Sequence, residues 1–265
     1  MGKWGQCVVC AAVVGLCARA GGQSAEQIVR EAVRTELYAS AHDHTCWLYY
    51  DVDSKPASTV KKWVAQTPDG SLSRVLEKNG QWFSKQQDER TMNAFIGNPS
   101  AQARQRKSGQ HDDQQAAQLL NMLPQGFNWS IASRQSGETV LHFWPNQNFN
   151  PPNWQARVFA AMAGEMTVND AQHRIVSLQG RLIHDVKFWG GLLGDLKAGG
   201  TFDVERREIG GGDWQITQTH VHIQGHALIF KTISEEEDDV ESKFKELPQN
   251  IPFEEAEKDL LEQNG

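Results

Sequence analysis

The chain predicts an α+β fold: a strongly curved antiparallel sheet, an open half-barrel, wrapped around one helix and interrupted by a two-helix insertion. Three observations lead there. The stretch from Gly164 to Lys231 reads as four or five successive strands separated by turns. A capped amphipathic helix precedes the first strands. The alternating pattern breaks once, at about residues 84–123, for sequence rich in Gln, Arg and Ala.

The elements follow in order. Ser24 and Gln27 form a capping-box pattern that opens a helix. Ile28, Val29, Ala32, Val33 and Leu37 recur at helical spacing, with Glu31, Arg34 and Glu36 on the other side. Such a helix can fill the concave face of a curved sheet, and it should end near His42. Strands are then expected at Thr45–Val52, Val60–Gln66, Leu72–Glu77 and Gln81–Phe83. The turn sequences at Thr67–Gly70 and Lys78–Gly80 separate them as an antiparallel meander. Two helices fill the insertion, one within Ser84–Arg106 and one over Asp112–Leu123, joined by a polar link at Gly97–Gln110. Sheet resumes at Phe127–Arg134 and Glu138–Trp144, hinged at Ser136 and Gly137. A Pro/Asn-rich loop covers Asn146–Asn153, and Trp154–Met162 is a short helical or extended approach to the last sheet region. No boundary with a separate core on each side is visible, so residues 24–233 read as one domain.

The clearest strand is Ile175–Phe188. Val176, Leu178, Gly180, Leu182, Val186 and Phe188 share one parity; Ser177, Gln179, Arg181, Asp185 and Lys187 share the other. Side chains alternate with period two, so one face is apolar and one wet. As a single strand it would run ~45 Å at ~3.3 Å per residue, the long bent element from which open barrels are made.

The order of motifs here carries a resemblance: Gly164 to Asp170, Arg174 to Gly180, Gly199 to Val204, then Trp214 to Ile216. It resembles the lipoprotein-carrier fold of the bacterial envelope, the LolA/LolB/RseB-like half-barrel. It is closer still to a group of secreted bacterial proteins of acidobacterial type. The resemblance covers most of the chain after residue 20. It implies the half-barrel and a non-catalytic role, but no binding motif can be matched residue by residue.

The two ends differ from the body. Lys3, an apolar run from Cys7 to Leu16, and small residues at Ala18 and Ala20 read as a cleaved signal peptide over residues 1–20. About ten apolar residues are too few to span a ~30 Å hydrocarbon core. Leu16 before Cys17 and Val9 before Cys10 argue against a lipid anchor. The expected location is therefore the periplasm or the extracellular space. Three of the four cysteines fall in this segment, leaving Cys46 as a buried small hydrophobe without a disulfide partner. Residues 234–265 read as an acidic, largely disordered tail: from Glu235 onward there are 12 acidic and 3 basic residues. That segment alone carries a net charge of −9 against −7 for the whole chain, so the body is near neutral, and nothing resembles a basic nucleic-acid footprint.

Candidate chemistry is sparse. His220, His222 and His226 share a parity, but the outer two would stand ~20 Å apart on one strand, so they read as a row on a wet face. Asp51 and Asp53 resemble a fragment of a calcium loop without its glycine or distal glutamate. Asp112 and Asp113 lie in polar surroundings. There is no nucleophile elbow, phosphate loop, zinc-protease or dinucleotide fingerprint, so neither an enzyme nor a cofactor is implied.

The expected function is binding of an apolar or amphipathic ligand, a lipid or lipid-modified polypeptide, in the concave sheet face. The expected lining is Val176, Leu178, Leu182, Val186 and Phe188. The glycine-rich segment with Trp189, Leu192, Leu193 and Leu196 forms either a lid or a permanent plug. The alternative is a periplasmic protein-interaction or stress-sensing module without a cavity, with an envelope protein as partner. The nine tryptophans suit either a filled or a hollow interior.

Overall fold

A computed structural model describes residues 23–188, 194–223, 225–227 and 236–264. The fold is α+β, with five helices and an open antiparallel sheet of 11 strands among the described residues.

Helix α1 (Ala25–His42) begins as its sequence dictates. The Ser24 hydroxyl accepts from the Gln27 N–H, and the Gln27 side chain accepts from the Ser24 N–H. A meander follows: β1 (Cys46–Lys55), β2 (Ser58–Thr67), β3 (Gly70–Lys78) and the two-residue β4 (Gln81–Trp82). Asn79 and Gly80 both take positive φ, as a tight hairpin turn requires.

The insertion is more helical than expected. Helix α2 (Lys85–Ile96) and helix α3 (Pro99–Gly126) are separated by only two residues. The polar link expected at Gly97–Gln110 is therefore largely helix. The reason is local: Asn98 caps the Ala101 N–H and Pro99 supplies a pre-set first turn. At 28 residues, α3 is ~42 Å long. It reaches from β3, where Gln105 bonds the backbone of Ser71 in both directions, to Leu123, whose carbonyl accepts from Trp129 Nε1.

The sheet continues through β5 (Phe127–Gln135), β6 (Glu138–Pro145), the short helix α4 (Trp154–Phe159), β7 (Met162–Asn169) and β8 (Arg174–Leu182). The single long strand expected over Ile175–Phe188 is broken. The Asp185 carboxylate accepts from the Ala198 N–H at 2.9 Å, and the backbone of Leu182 bonds Gly199 and Gly200. Local side-chain acceptors of this kind compete with a strand ladder. Beyond the break, β9 (Val186–Phe188) pairs with β10 (Gly194–Leu196), which also pairs with β13 (Gly225–Ala227), in a separate three-stranded sheet. Strands β11 (Thr201–Gly210) and β12 (Asp213–His222) return to the main sheet.

The acidic C-terminal stretch is the largest correction. It is not a disordered tail: β14 (Glu236–Leu247) lies between β1 and β12, and helix α5 (Phe253–Glu262) packs on β2 and β3. The order is β4-β3-β2-β1-β14-β12-β11-β8-β7-β6-β5. Strand β14 is thus an interior strand, paired on both sides.

Two core clusters occupy opposite faces of this sheet. The first joins Ile28, Val29, Ala32 and Val33 of α1 to Leu141, Phe143, Met166, Leu182 and Val221. The second joins Cys46, Leu48, Trp63 and Leu72 to Met92 of α2 and to Phe253, Ala256 and Leu260 of α5. On β1, Cys46 and Leu48 face the second cluster, so Asp51 and Asp53, of opposite parity, face the side that α1 covers further along the sheet.

Buried ion pairs fasten helices to each face. Glu36 of α1 accepts from Nε and Nη2 of Arg174 at 3.1 Å and from the Ile175 N–H at 2.8 Å, and pairs with Arg206 Nη1 at 2.5 Å. Burial alone would raise its pKa. The Arg206 charge and the hydrogen bonds from Arg174, Arg206 and Ile175 outweigh burial and hold it below the usual value. On the other face, Arg74 bonds Asp88 of α2 at 3.0 Å and the carbonyls of Leu260 and Gln263 at the end of α5. A cation at a helix C-terminus satisfies carbonyls that have no intrahelical donor.

Candidate functional site

The expected lining residues divide. Leu182, Val186 and Leu196 are buried in the cluster that contains α1, and Leu178 packs against it partly buried. Val176 does not join them. A bulge in β8 pairs Thr167 with Ser177 but Val168 with Ile175, so Ile175 takes the core position. Phe188 belongs to β9. Trp189, Leu192 and Leu193 lie outside the described residues, as do residues 1–20.

Two glycines shape this region. Gly164 and Gly180 are paired across β7 and β8, with Phe143 and Phe202 as their outer neighbours in register. A Cβ on Gly180 would meet the Phe202 ring at 2.4 Å, and one on Gly164 would meet the Gln179 carbonyl oxygen at 1.9 Å. The glycines allow the rings and strands to close over them.

Register also shows what lies beside this apolar wall on the same face. Leu178 pairs with Val204, Val204 with Thr219, Thr219 with Asp239, Asp239 with Asp53, and Asp53 with Val60. Across these five strand boundaries the face passes from hydrocarbon at Leu178 and Val204 to carboxylate at Asp239 and Asp53, and returns to hydrocarbon at Val60. One step along β1 and β14, Asp51 pairs with Glu241 on one side and with Lys62 on the other.

Carboxylate oxygens of Asp51, Asp239 and Glu241 all lie within 4.8 Å of one another. Asp51 is only 4% exposed. Lys62 Nζ bonds Asp51 Oδ2 at 2.9 Å, and Lys55 Nζ bonds Asp53 Oδ2 at 3.1 Å and Glu237 Oε1 at 2.9 Å. The other oxygens, Asp51 Oδ1, Asp53 Oδ1 and Asp239 Oδ1, are buried without a hydrogen-bond partner. Burial and the neighbouring charges raise the affinity for protons. Asp239 is pushed up to about 7 first by desolvation and then by the Asp51 charge beside it. Glu241 is pushed up to about 8 by desolvation and by Asp239 and Asp51. The Tyr49 hydroxyl is raised as well, by burial and then by Glu241, Asp51 and Asp239.

These shifts set a pH dependence. A carboxylate whose folded pKa is raised favours folding most below its unfolded pKa of ~4, and that contribution fades as pH rises through the folded value. Asp239 and Glu241 therefore destabilise the fold progressively between pH ~4 and ~8. Glu36, with its lowered pKa, acts oppositely and loses its contribution only as pH falls below ~4.5. In chelating buffer the Tm is expected to be roughly 5 °C lower at pH 8.5 than at pH 5.5, and Asp239→Asn should flatten that slope. A Tm that stays level or rises over this interval would contradict the assignment.

Sequence reasoning singled out Asp51 and Asp53 but set them aside, and it missed Asp239 and Glu241 by assigning them to a tail. The only available signal was the matching pattern, two acids one residue apart in each segment. The histidines do not assemble as a row. His220 Nδ1 pairs with Asp238 Oδ1, and β12 ends at His222, with His226 in β13 of the small sheet. Cys46 is buried, its thiol close to the carbonyls of His44 and Gln249, and burial followed by the Asp43 charge raises its pKa.

A further cleft of about 470 Å³ lies between the end of α3 and the Asn-rich loop, lined by Met122, Gln125, Asn146, Asn148, Phe149 and Asn150 among others. It is separate from both the apolar wall and the acid cluster. Among the described residues, no helix is long and apolar enough to cross a membrane. Comparison of the chain with protein families, curated proteins and solved structures gives no match.

Proposed function

We propose that this chain is an exported, non-catalytic binding protein of the bacterial envelope, taking an apolar or amphipathic ligand against the α1-side face of its sheet. The ligand class is a lipid or a lipid-modified polypeptide, and the open sheet is read as a half-barrel. One observation carries the reading: a single sheet face runs in register from Leu178 and Val204 to Asp239 and Asp53. An amphipathic molecule needs that combination, an apolar wall for its chain and polar groups for its head. Each methylene withdrawn from water contributes ~0.8 kcal/mol, so one acyl chain supplies most of the affinity. The signal-like N-terminus supports export.

A second reading is favoured by the packing of Leu182, Val186 and Leu196 against the α1 cluster. If that interior is filled throughout, the chain is a protein-interaction or stress-sensing module with an envelope protein as partner. Native mass spectrometry of protein purified from its own envelope, followed by organic extraction, separates the two. A near-stoichiometric lipid or acylated peptide supports the carrier. A ligand-free mass that added lipid leaves unchanged rejects the carrier and favours the interaction module.

A further inference from the structure

The acidic face of β1 and β14 is short of hydrogen-bond donors in a specific way. Five carboxylates share it: Asp51 and Asp53 from β1, and Glu237, Asp239 and Glu241 from β14. Facing them are the Tyr49 hydroxyl, Lys55 from β1 and Lys62 from β2, while β12 contributes Thr219 and no charge by register. Both lysines are spent on one oxygen of each aspartate, the Oδ2 atoms of Asp51 and Asp53. What remains buried without a donor is Asp51 Oδ1, Asp53 Oδ1 and Asp239 Oδ1. The Asp51 side chain is 6% exposed, and a carboxylate oxygen of it lies within 4.8 Å of oxygens of Asp239 and Glu241. Buried acceptors are almost always paired, so this concentration of exceptions at one place requires an explanation.

We infer that Asp51, Asp239 and Glu241 form a binding site for a divalent cation of the hard, oxygen-seeking class, with Ca²⁺ the ion it fits, and with Asp53 at its margin. A proton shared between Asp51 and Asp239 satisfies one oxygen of each and leaves Asp53 unmatched. A divalent ion neutralises two charges and accepts several oxygens at once. Three oxygens within 4.8 Å of one another can meet one ion at Ca–O distances of about 2.3–2.6 Å. With only carboxylate and hydroxyl oxygens present and no imidazole or thiolate, the donor set selects against Zn²⁺ and Cu²⁺. The site is unlike a calcium loop, because its ligands come from two paired strands far apart in sequence. That is why neither acid pair announced it alone.

The test uses the full chain, treated with chelator and dialysed at pH 8, with CaCl₂, MgCl₂ and TbCl₃ as probes. Ca²⁺ is expected to bind saturably and raise the Tm. Tb³⁺ should show emission sensitised by Tyr49 and by Trp47 on the same strand, displaced by Ca²⁺. Asp239→Asn should weaken both by at least about tenfold, while Asp69→Asn, in the β2–β3 turn, should leave them unchanged. The Asn variant relieves like-charge repulsion, so it should fold at least as well as the parent; Glu241→Gln provides an independent variant. No saturable binding up to about 10 mM, tenfold above the weakest extracellular calcium sites, would overturn the inference in favour of shared protons. Binding unaffected by either substitution would overturn it by locating the ion elsewhere. Neither result bears on lipid uptake, which is read separately by mass.

Discussion

Ending the chain at residue 235 is expected to abolish folding, although the segment removed looks like a solvating tail in composition. Strand β14 lies between β1 and β12, so its loss divides the 11-stranded sheet and creates two unpaired edges. The same truncation removes Leu247, Ile251, Phe253 and Leu260, all buried in the second core. At ~1.5–3 kcal/mol for each large apolar side chain, that is on the order of 6–12 kcal/mol. A domain has only ~5–15 kcal/mol in total. Circular dichroism and thermal unfolding of the purified fragment should show no cooperative transition. A fragment that unfolded cooperatively near the parent Tm would show that β14 is dispensable and the sheet order wrong.

Replacing Glu36 with alanine is expected to be the most damaging single substitution named here, at about 3–5 kcal/mol. The loss is not that of one ion pair. Arg174 and Arg206 both direct guanidinium groups at Glu36, and the Ile175 N–H bonds it too. Without the carboxylate, two partly or fully buried cations face each other with no counter-charge, and a buried backbone N–H loses its acceptor. Helix α1 is fastened to β8 and β11 at this point, so near-ultraviolet circular dichroism should change along with the denaturation midpoint. The variant Glu36→Gln should lie between, because it keeps acceptors but not charge. A cost below about 1 kcal/mol for Glu36→Ala, the level of an exposed pair, would show that the cluster is open to water.

The difference between what the sequence disclosed and what it concealed follows from which signal each element carries. Helix α1 was readable because Ser24 and Gln27 cap it reciprocally and its apolar stripe runs from Ile28 to Val33, but Glu36, placed by its charge on the wet side, is buried against the sheet on Arg174 and Arg206. The hairpins at Thr67–Gly70, Asn79–Gly80 and Ser136–Gly137 were readable because glycine and asparagine take backbone angles that few other residues accept. Helix α3 was obscured because its middle is polar and contains Gly109; its stability comes from contacts such as Gln105 with Ser71, which no local pattern reports. The break after Leu182 was obscured because alternation persists through it, while the cause lies in a carboxylate that accepts from Ala198. Strand β14 was obscured most completely. Val240 on it is 42% exposed, whereas Asp239 and Glu241 turn toward the covered side. Hydropathy reads such a strand inside out. Half of the acid cluster was therefore visible as Asp51 and Asp53, and the other half depended on a pairing that only three dimensions supply.

The interior position of β14 also opposes the order of synthesis to the order of assembly. Strand β1 leaves the ribosome early and β12 only shortly before β14, yet each waits for that same partner on one side. Until residues 236–247 emerge, the middle of the sheet stays open and the two flanking groups of strands cannot join through it. Those waiting edges can pair with other chains in the meantime, so a growing polypeptide of this design depends on being shielded until its last segment arrives.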